Sequence, residues 1–233
     1  HARWFCGYFF HLIDRGGFVL TFWVRGSTRL LPGWLSGLMA TVVVTCAAFV
    51  GVAGAATASP AGSVAPVLVL NSLNADVSVI DPVTWQETAR VAVGKEPHHI
   101  YLSPDGGSVL IGNAAGNSIT FMDPKTGQVQ RTLNRMIDPY HLRFSPDMQW
   151  FVTAANRLDH IDIYRWHGVD AAEPLELVKR VRAPKTPSHI AIDSQSQVAY
   201  VTLQDSNELI AIDLLTQTPR WTVSTGEMPA DIY

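Results

Sequence analysis

Cysteine is nearly absent from this sequence of 233 residues, which contains only Cys6 and Cys46. Both precede Ser59, so the longer part of the chain has no disulfide, no thiol nucleophile and no cysteine-based metal site. The sequence also lacks a Gly-x-Ser-x-Gly motif, a His-Glu-x-x-His motif and a phosphate-binding glycine loop. The usual signatures of serine hydrolases, zinc proteases and P-loop NTPases are therefore missing.

Charge is scarce as well, and it is unevenly distributed along the chain. Residues 30–75 contain no charged side chain. From Ser59 onward there are 13 Lys and Arg residues against 19 Asp and Glu residues, a net charge of −6. Because this part is mildly acidic and has no basic run, the sequence argues against nucleic-acid binding.

Residues 24–58 have the pattern of a secretory signal peptide. Arg25 and Arg29 precede an apolar run over residues 34–56, and an Ala-x-Ala site ends at Ala58. Cleavage after Ala58 would release a periplasmic or secreted protein without stable membrane insertion. The alternative is a retained transmembrane anchor, since the apolar run is long enough to span a bilayer.

Residues 1–23 show no clear periodicity and begin with His1 rather than Met. We expect this stretch to be translated from upstream of the true start, with initiation at Val24, or to be disordered. Residues 59–233 then form the folded domain.

A short sequence motif that begins with proline, Pro-x-His in three copies and Pro-x-Asp in the fourth, recurs along the folded domain. The third residue of each copy is His99, His141, His189 or Asp231, at intervals of 42, 48 and 42 residues. Each interval contains four strand-like runs separated by turn residues. A period near 40 residues with four strands predicts an all-β fold, a β-propeller of four-stranded antiparallel blades.

The number and completeness of the blades follow from the same repeat. About four blades are present, and the first lacks its own first strand, which a closed ring would take from the far C-terminus. We therefore expect a fragment of a longer, seven-bladed propeller. Apolar residues are consecutive in most strands, as expected for blades that pack against neighbours on both faces.

One repeat is six residues longer than the others because of a loop at residues 166–176. Surface loops tolerate added length, so we expect a neutral insertion. The alternative is that the loop supplies Trp166 and His167 to a ligand or partner.

The repeat phrases resemble the YVTN-type beta-propeller repeat family of exported bacterial proteins. The matching segments include Val93-Gly94 before Pro97, then residues 103–106 and residues 200–202. Two further matches are strand ends of the Val-Ile-Asp type, residues 79–81 and 211–213. This resemblance implies an envelope protein. More distantly, the sequence is similar to the haem-binding propeller of cytochrome nitrite reductases. This sequence departs from the family by placing histidine where a small residue is common.

The three repeated histidines are the candidate site. Repeat symmetry would place His99, His141 and His189 around the mouth of the central channel, where neutral imidazoles bind a transition metal or contact an anionic or haem-like ligand. Asp231 occupies the fourth equivalent position and could add a carboxylate. The alternative is that each histidine bonds to the backbone of its own blade as a repeated structural device.

Other polar residues of the repeat have simpler interpretations. Tyr101 and Arg143 follow their histidines by two residues and share their side of the strand, so they line the same site or pack between blades. His98 and His160 have no equivalents in other blades and are expected at the surface. Three aspartates that end strands beside turns are expected to cap those turns. They are Asp81, Asp123 and Asp213.

These features predict an exported propeller that binds a small molecule or a protein partner at its channel face, without chemistry of its own. The alternative is a metal- or haem-dependent oxidoreductase, or a maturation factor for one, that uses the channel-mouth histidines.

Overall fold

The computed structural model describes residues 64–233, which contain fifteen β-strands and no helix able to cross a membrane. The predicted signal peptide at 24–58 and the segment 1–23 lie outside the described residues. The strands are β1 (Val67–Asn71), β2 (Asp76–Ile80), β3 (Glu87–Ala92), β4 (Pro97–Leu102), β5 (Val109–Asn113), β6 (Ser118–Met122), β7 (Val129–Asn134), β8 (His141–Phe144), β9 (Trp150–Ala155), β10 (His160–Trp166), β11 (Leu175–Arg182), β12 (Pro187–Ile192), β13 (Val198–Leu203), β14 (Glu208–Asp213) and β15 (Thr218–Ser224).

The strands form four antiparallel sheets, which we number as blades 1 to 4. Blade 1 has three strands, in the order β1-β2-β3, and the other blades have four. Blade 2 is β4-β5-β6-β7, blade 3 is β8-β9-β10-β11 and blade 4 is β12-β13-β14-β15. The first strand of blade 3, β8, contacts the first strands of blades 2 and 4. The predicted propeller of about four blades is confirmed, and blade 1 lacks a first strand among the described residues.

The apolar core lies between successive blades. Val77 of blade 1 packs with Ile111 and Met122 of blade 2. Larger clusters fill the two following interfaces, where the middle strands β5, β6 and β9 are buried along their whole length. Strands buried on both faces explain the consecutive apolar residues in the sequence.

The repeated aspartates cap turns, as predicted. One carboxylate oxygen of Asp123, Oδ1, accepts hydrogen bonds from the backbone N–H groups of Lys125 and Thr126. Asp81 and Asp213 make the equivalent pairs of bonds two and three residues ahead. These bonds stay within one turn of one blade, so their repetition is a local structural device.

The six-residue insertion docks on blade 2 instead of extending into solvent. The Trp166 ring stacks on Phe121 with centroids 6.4 Å apart. The guanidinium of Arg131, in β7, donates to the backbone carbonyls of Val169, Ala171 and Ala172. The loop therefore reinforces the interface between blades 2 and 3, and the partly buried Trp166 packs against the core of that interface.

Candidate functional site at the innermost strands

The three repeated histidines lie near the beginnings of the innermost strands of blades 2, 3 and 4. His99 is the third residue of β4, His141 the first of β8 and His189 the third of β12. The pairing register shifts at the histidine in β4 and again in β12, between Pro187 and Ile190. Such irregularities re-aim side chains. In β4 the irregular residue is His98, and His99 keeps a ladder partner in β5. In β12 His189 itself has no ladder partner, and its backbone N–H donates to Oγ1 of Thr202 over 3.0 Å.

Gly112 brings blades 2 and 3 together beside His99, its partner in the β4–β5 ladder. A Cβ atom at position 112 would lie 2.3 Å from the backbone carbonyl oxygen of Pro139, closer than atoms can approach. Glycine is therefore required for this approach. Since Pro139 is two residues before His141, the contact holds His141 against His99.

The three imidazole rings contact one another directly. Their centroids are 4.5 Å apart for His99 and His141, 4.5 Å for His141 and His189, and 5.1 Å for His99 and His189. One ring nitrogen from each side chain lies within 4.8 Å of the other two. We call this group the histidine triad.

A backbone carbonyl sets the tautomer of His99. The Nδ1 atom lies 2.7 Å from the carbonyl oxygen of Tyr140 in the loop before β8. Because a carbonyl oxygen only accepts, Nδ1 carries the proton and donates it, and Nε2 keeps the lone pair. The bond crosses from blade 2 to blade 3, so His99 does not serve only its own blade.

His141 is the most deeply buried member of the triad, with 3% of its surface exposed. Its Nε2 atom lies 3.0 Å from the Tyr101 hydroxyl, and its buried Nδ1 atom has no hydrogen-bond partner. Arg143 in turn donates to that hydroxyl over 3.4 Å, with its guanidinium carbon 5.6 Å from the centre of the Tyr101 ring. Tyr101 and Arg143 therefore lie beside the triad.

The environment keeps all three imidazoles neutral near pH 7. Burial and the neighbouring His98 lower the pKa of His99 to about 4. Burial, followed by the charges of His99 and His189, lowers the pKa of His141 well below its usual range. Burial also lowers the pKa of His189, against an opposing effect of the Asp231 carboxylate. Neutral imidazoles have the lone pairs that metal ions require.

Asp231 is not a member of the triad. Its side chain is exposed, and Oδ1 accepts a hydrogen bond from the backbone N–H of Ile232 over 2.8 Å. The carboxylate acts on the triad as a nearby charge.

The prediction that His160 lies at the surface is wrong. Only 7% of His160 is exposed. Its Nδ1 bonds to the carbonyl of Leu158 over 3.1 Å, and its Nε2 lies 3.6 Å from the buried carboxylate of Asp162. His160 is the first residue of β10, the third strand of its blade, where the preceding turn and the paired strands β9 and β11 cover it. The repeat pattern does not show this burial.

Two residues next to the triad were not predicted as part of the site. His98 is exposed, as predicted, yet its ring packs on Tyr140 with centroids 4.0 Å apart. Its Nδ1 lies 2.9 Å from Nδ1 of His99. The only sequence signal that these two residues belong to the site was that His98 is adjacent to His99 and Tyr140 to His141. Adjacent residues of a strand point to opposite sides, so this adjacency argued against a shared site.

Comparison with known protein families identifies the fold independently. The model of the YNCE-like beta-propeller family matches residues 25–233. The chain belongs to the YNCE-like beta-propeller family. This membership agrees with the YVTN-type resemblance of the repeat phrases and describes an architecture rather than a reaction. No protein with a curated description matches the sequence.

Solved structures with the same fold have varied descriptions. Hydrazine synthase of Kuenenia stuttgartiensis is 19% identical with a TM-score of 0.57, covering 68% of this chain and 45% of its own. A protein from Lactobacillus plantarum is 18% identical with a TM-score of 0.57, covering 67% and 53%. The Cps50 (Swd1) beta-propeller domain of Myceliophteria thermophila is 13% identical with a TM-score of 0.50, covering 58% and 43%. The chain spans about half the length of these structures, and at such identities the likeness shows the fold alone.

Proposed function

We propose that this chain is an exported β-propeller binding protein that holds a transition-metal ion at its channel face through His99, His141 and His189. The observation that supports it best is the convergence of three neutral imidazoles from three successive blades, with ring nitrogens within 4.8 Å. Imidazole is a preferred ligand of zinc, copper, iron and nickel.

The hydrogen bonds of the triad fit this role. Ligating histidines usually donate their second ring nitrogen to a carbonyl or carboxylate, which orients the ring. His99 donates its Nδ1 proton to the Tyr140 carbonyl in this way, which leaves the lone pair on Nε2 for a metal ion. The buried Nδ1 atom of His141 has no partner, and a metal ion would satisfy it.

Metal binding would require a small contraction of the triad. Metal–nitrogen distances of about 2.0–2.1 Å in a tetrahedron place ligand nitrogens about 3.3 Å apart, whereas the three ring nitrogens are separated by up to 4.8 Å. Side-chain rotation of His189, which is only half-buried, is the simplest way to close the difference.

Three protein ligands leave one coordination position open, which is typical of sites that accept a further ligand. This observation favours the second candidate function, a metal-dependent oxidoreductase or a maturation factor for one. A haem fits less well. The three rings contact each other, so a macrocycle could not enter between them and only one ring could serve as its axial ligand.

Export is part of the proposal and rests on the sequence pattern of residues 24–58.

Calorimetric titration of the protein with Cu²⁺, Zn²⁺ and Ni²⁺ tests the proposal. We expect one ion per chain for at least one metal, and a loss of affinity in each of the variants His99→Ala, His141→Ala and His189→Ala. His167→Ala is the control, because His167 is exposed and pairs with Glu176 outside the triad. Equal metal binding by the parent and His141→Ala, or no binding by the parent, would contradict the proposal.

A further inference from the structure

Arg143 places a permanent positive charge beside the histidine triad. It lies two residues after His141 on β8, on the same side of the strand. Its Nη1 donates to the Tyr101 hydroxyl, which is itself 3.0 Å from Nε2 of His141. One side chain therefore connects the guanidinium to the triad.

This charge has no carboxylate partner within residues 64–233. Its side chain is half-buried, and it donates to a neutral phenol, that of Tyr101. A guanidinium remains charged in proteins, so burial without a counter-ion is unfavourable. Four other arginines do form salt bridges to Asp or Glu. They are Arg90, Arg157, Arg180 and Arg220.

A metal ion in the triad would increase this imbalance. Three neutral imidazoles contribute no negative charge. The Asp231 carboxylate acts on His99 and His189 as a nearby charge, but it is exposed, accepts from the backbone N–H of Ile232 and forms no ion pair with Arg143. A divalent ion and Arg143 would therefore repel each other across a partly buried space. An anion held between them would remove that repulsion.

We infer that the site binds a small planar oxyanion, of the carboxylate or carbonate type, which bridges Arg143 and the open coordination position of the metal. The inference rests on the proposed metal site and specifies what its fourth ligand is. Arginine matches such anions because its parallel N–H groups donate to two oxygens at once. If His141 binds the metal through Nδ1, its Nε2–H donates to the Tyr101 hydroxyl, and the hydroxyl proton is then a further donor to the anion.

The experiment titrates the Cu²⁺-loaded protein with sodium acetate and, separately, with sodium bicarbonate, and follows the visible and electron paramagnetic resonance spectra. We expect a saturable spectral change with at least one anion. Arg143→Gln should weaken that response about 10-fold or more, since a good charge-assisted pair contributes this much. In buffer without either anion, Arg143→Gln should bind Cu²⁺ more tightly than the parent, because a repelling charge is gone.

Arg165→Gln is the matched control. Arg165 is also half-buried and also lies over an aromatic ring, that of Trp150 at 3.8 Å, but in β10. Its replacement should alter neither titration. If Cu²⁺ binds and neither anion changes the spectra, or if Arg143→Gln responds like the parent, the anion site is refuted while the metal site stands. If Cu²⁺ does not bind, both proposals fail.

Discussion

Two sets of residues each occupy equivalent positions in three of the four blades, and they behave differently in the fold. Asp81, Asp123 and Asp213 each cap a turn of their own blade through N–H groups two and three residues ahead. The histidine triad instead brings together side chains 42 and 48 residues apart in sequence, with its rings in contact.

The difference comes from position in the blade. The aspartates lie at the turns after third strands, and each carboxylate accepts from N–H groups of its own turn, so each copy of the repeat makes a separate local contact. The histidines lie on the innermost strands, where successive blades adjoin. The same repeat symmetry therefore produces separate structural devices in one place and a shared site in the other.

The strongest test is the additivity of histidine substitutions. Loss of an outer-shell partner costs about 10–100-fold in metal affinity, so loss of a ligand should cost about 100-fold or more. His99→Ala and His141→Ala should each reach this level, and the double variant should lose little beyond either one, because they share a site. Titration of the parent, the two single variants and the double variant with the preferred metal measures these affinities. Multiplicative losses would mean independent sites and would contradict a triad.

Gly112→Ala should separate the triad without touching a histidine. The new Cβ would meet the Pro139 carbonyl, which is backbone and cannot rotate away, so blades 2 and 3 must shift. We expect metal affinity to fall about 10-fold and unfolding free energy to fall by about 1–3 kcal/mol. Gly226→Ala is the control, since a Cβ atom at that position would have no neighbour within 4 Å. Unchanged metal affinity in Gly112→Ala would show that the blade contact does not position the site.

Acid should destabilise the two sets in different pH ranges. The pKa of His99 is about 4 in the folded protein, below its ordinary value of 6.5. The unfolded chain therefore binds a proton first, and stability should fall as pH drops from about 6.5 to 4. The pKa of Asp213 is lowered by backbone hydrogen bonding at Thr216 and by Arg220, from 3.8 to about 2, so its contribution is lost only between those values.

Thermal melts across pH check these two ranges in metal-free protein. His99→Gln should reduce the loss of stability in the upper range, to which His141 and His189 also contribute, and leave the lower range unchanged. Asp213→Asn should reduce the loss in the lower range, to which Asp81 and Asp123 also contribute, and leave the upper range unchanged. A parent protein with constant melting temperature from pH 6.5 to 4 would show that the triad is not held neutral by the fold.

The smallest effects belong to the turn caps. Asp123→Ala and Asp213→Ala should each lower the unfolding free energy by about 1 kcal/mol, because each removes hydrogen bonds to backbone N–H groups at an exposed turn. The two losses should add, since the turns lie in different blades. Metal affinity should not change in either variant. Denaturant melts and metal titration of the single and double variants measure both quantities.

Local pattern determined much of this protein. Turn residues and consecutive apolar runs predict the strands, the period near 42 residues predicts the blades, and the aspartates predict their own caps, because each of these depends on neighbours in the chain. The repeat also placed His99, His141 and His189 in equivalent positions. It could not decide whether equivalent residues meet.

Tertiary structure decided that question. The contact of Gly112 with Pro139, the irregular pairing at His189 in β12, and the bond from His99 to Tyr140 bring the rings together across blades. The burial of His160 and the exclusion of Asp231 were likewise invisible in the repeat. Each depends on the distance and angle between blades, which arise from side-chain packing between segments far apart in the chain and not from the order of residues within one blade.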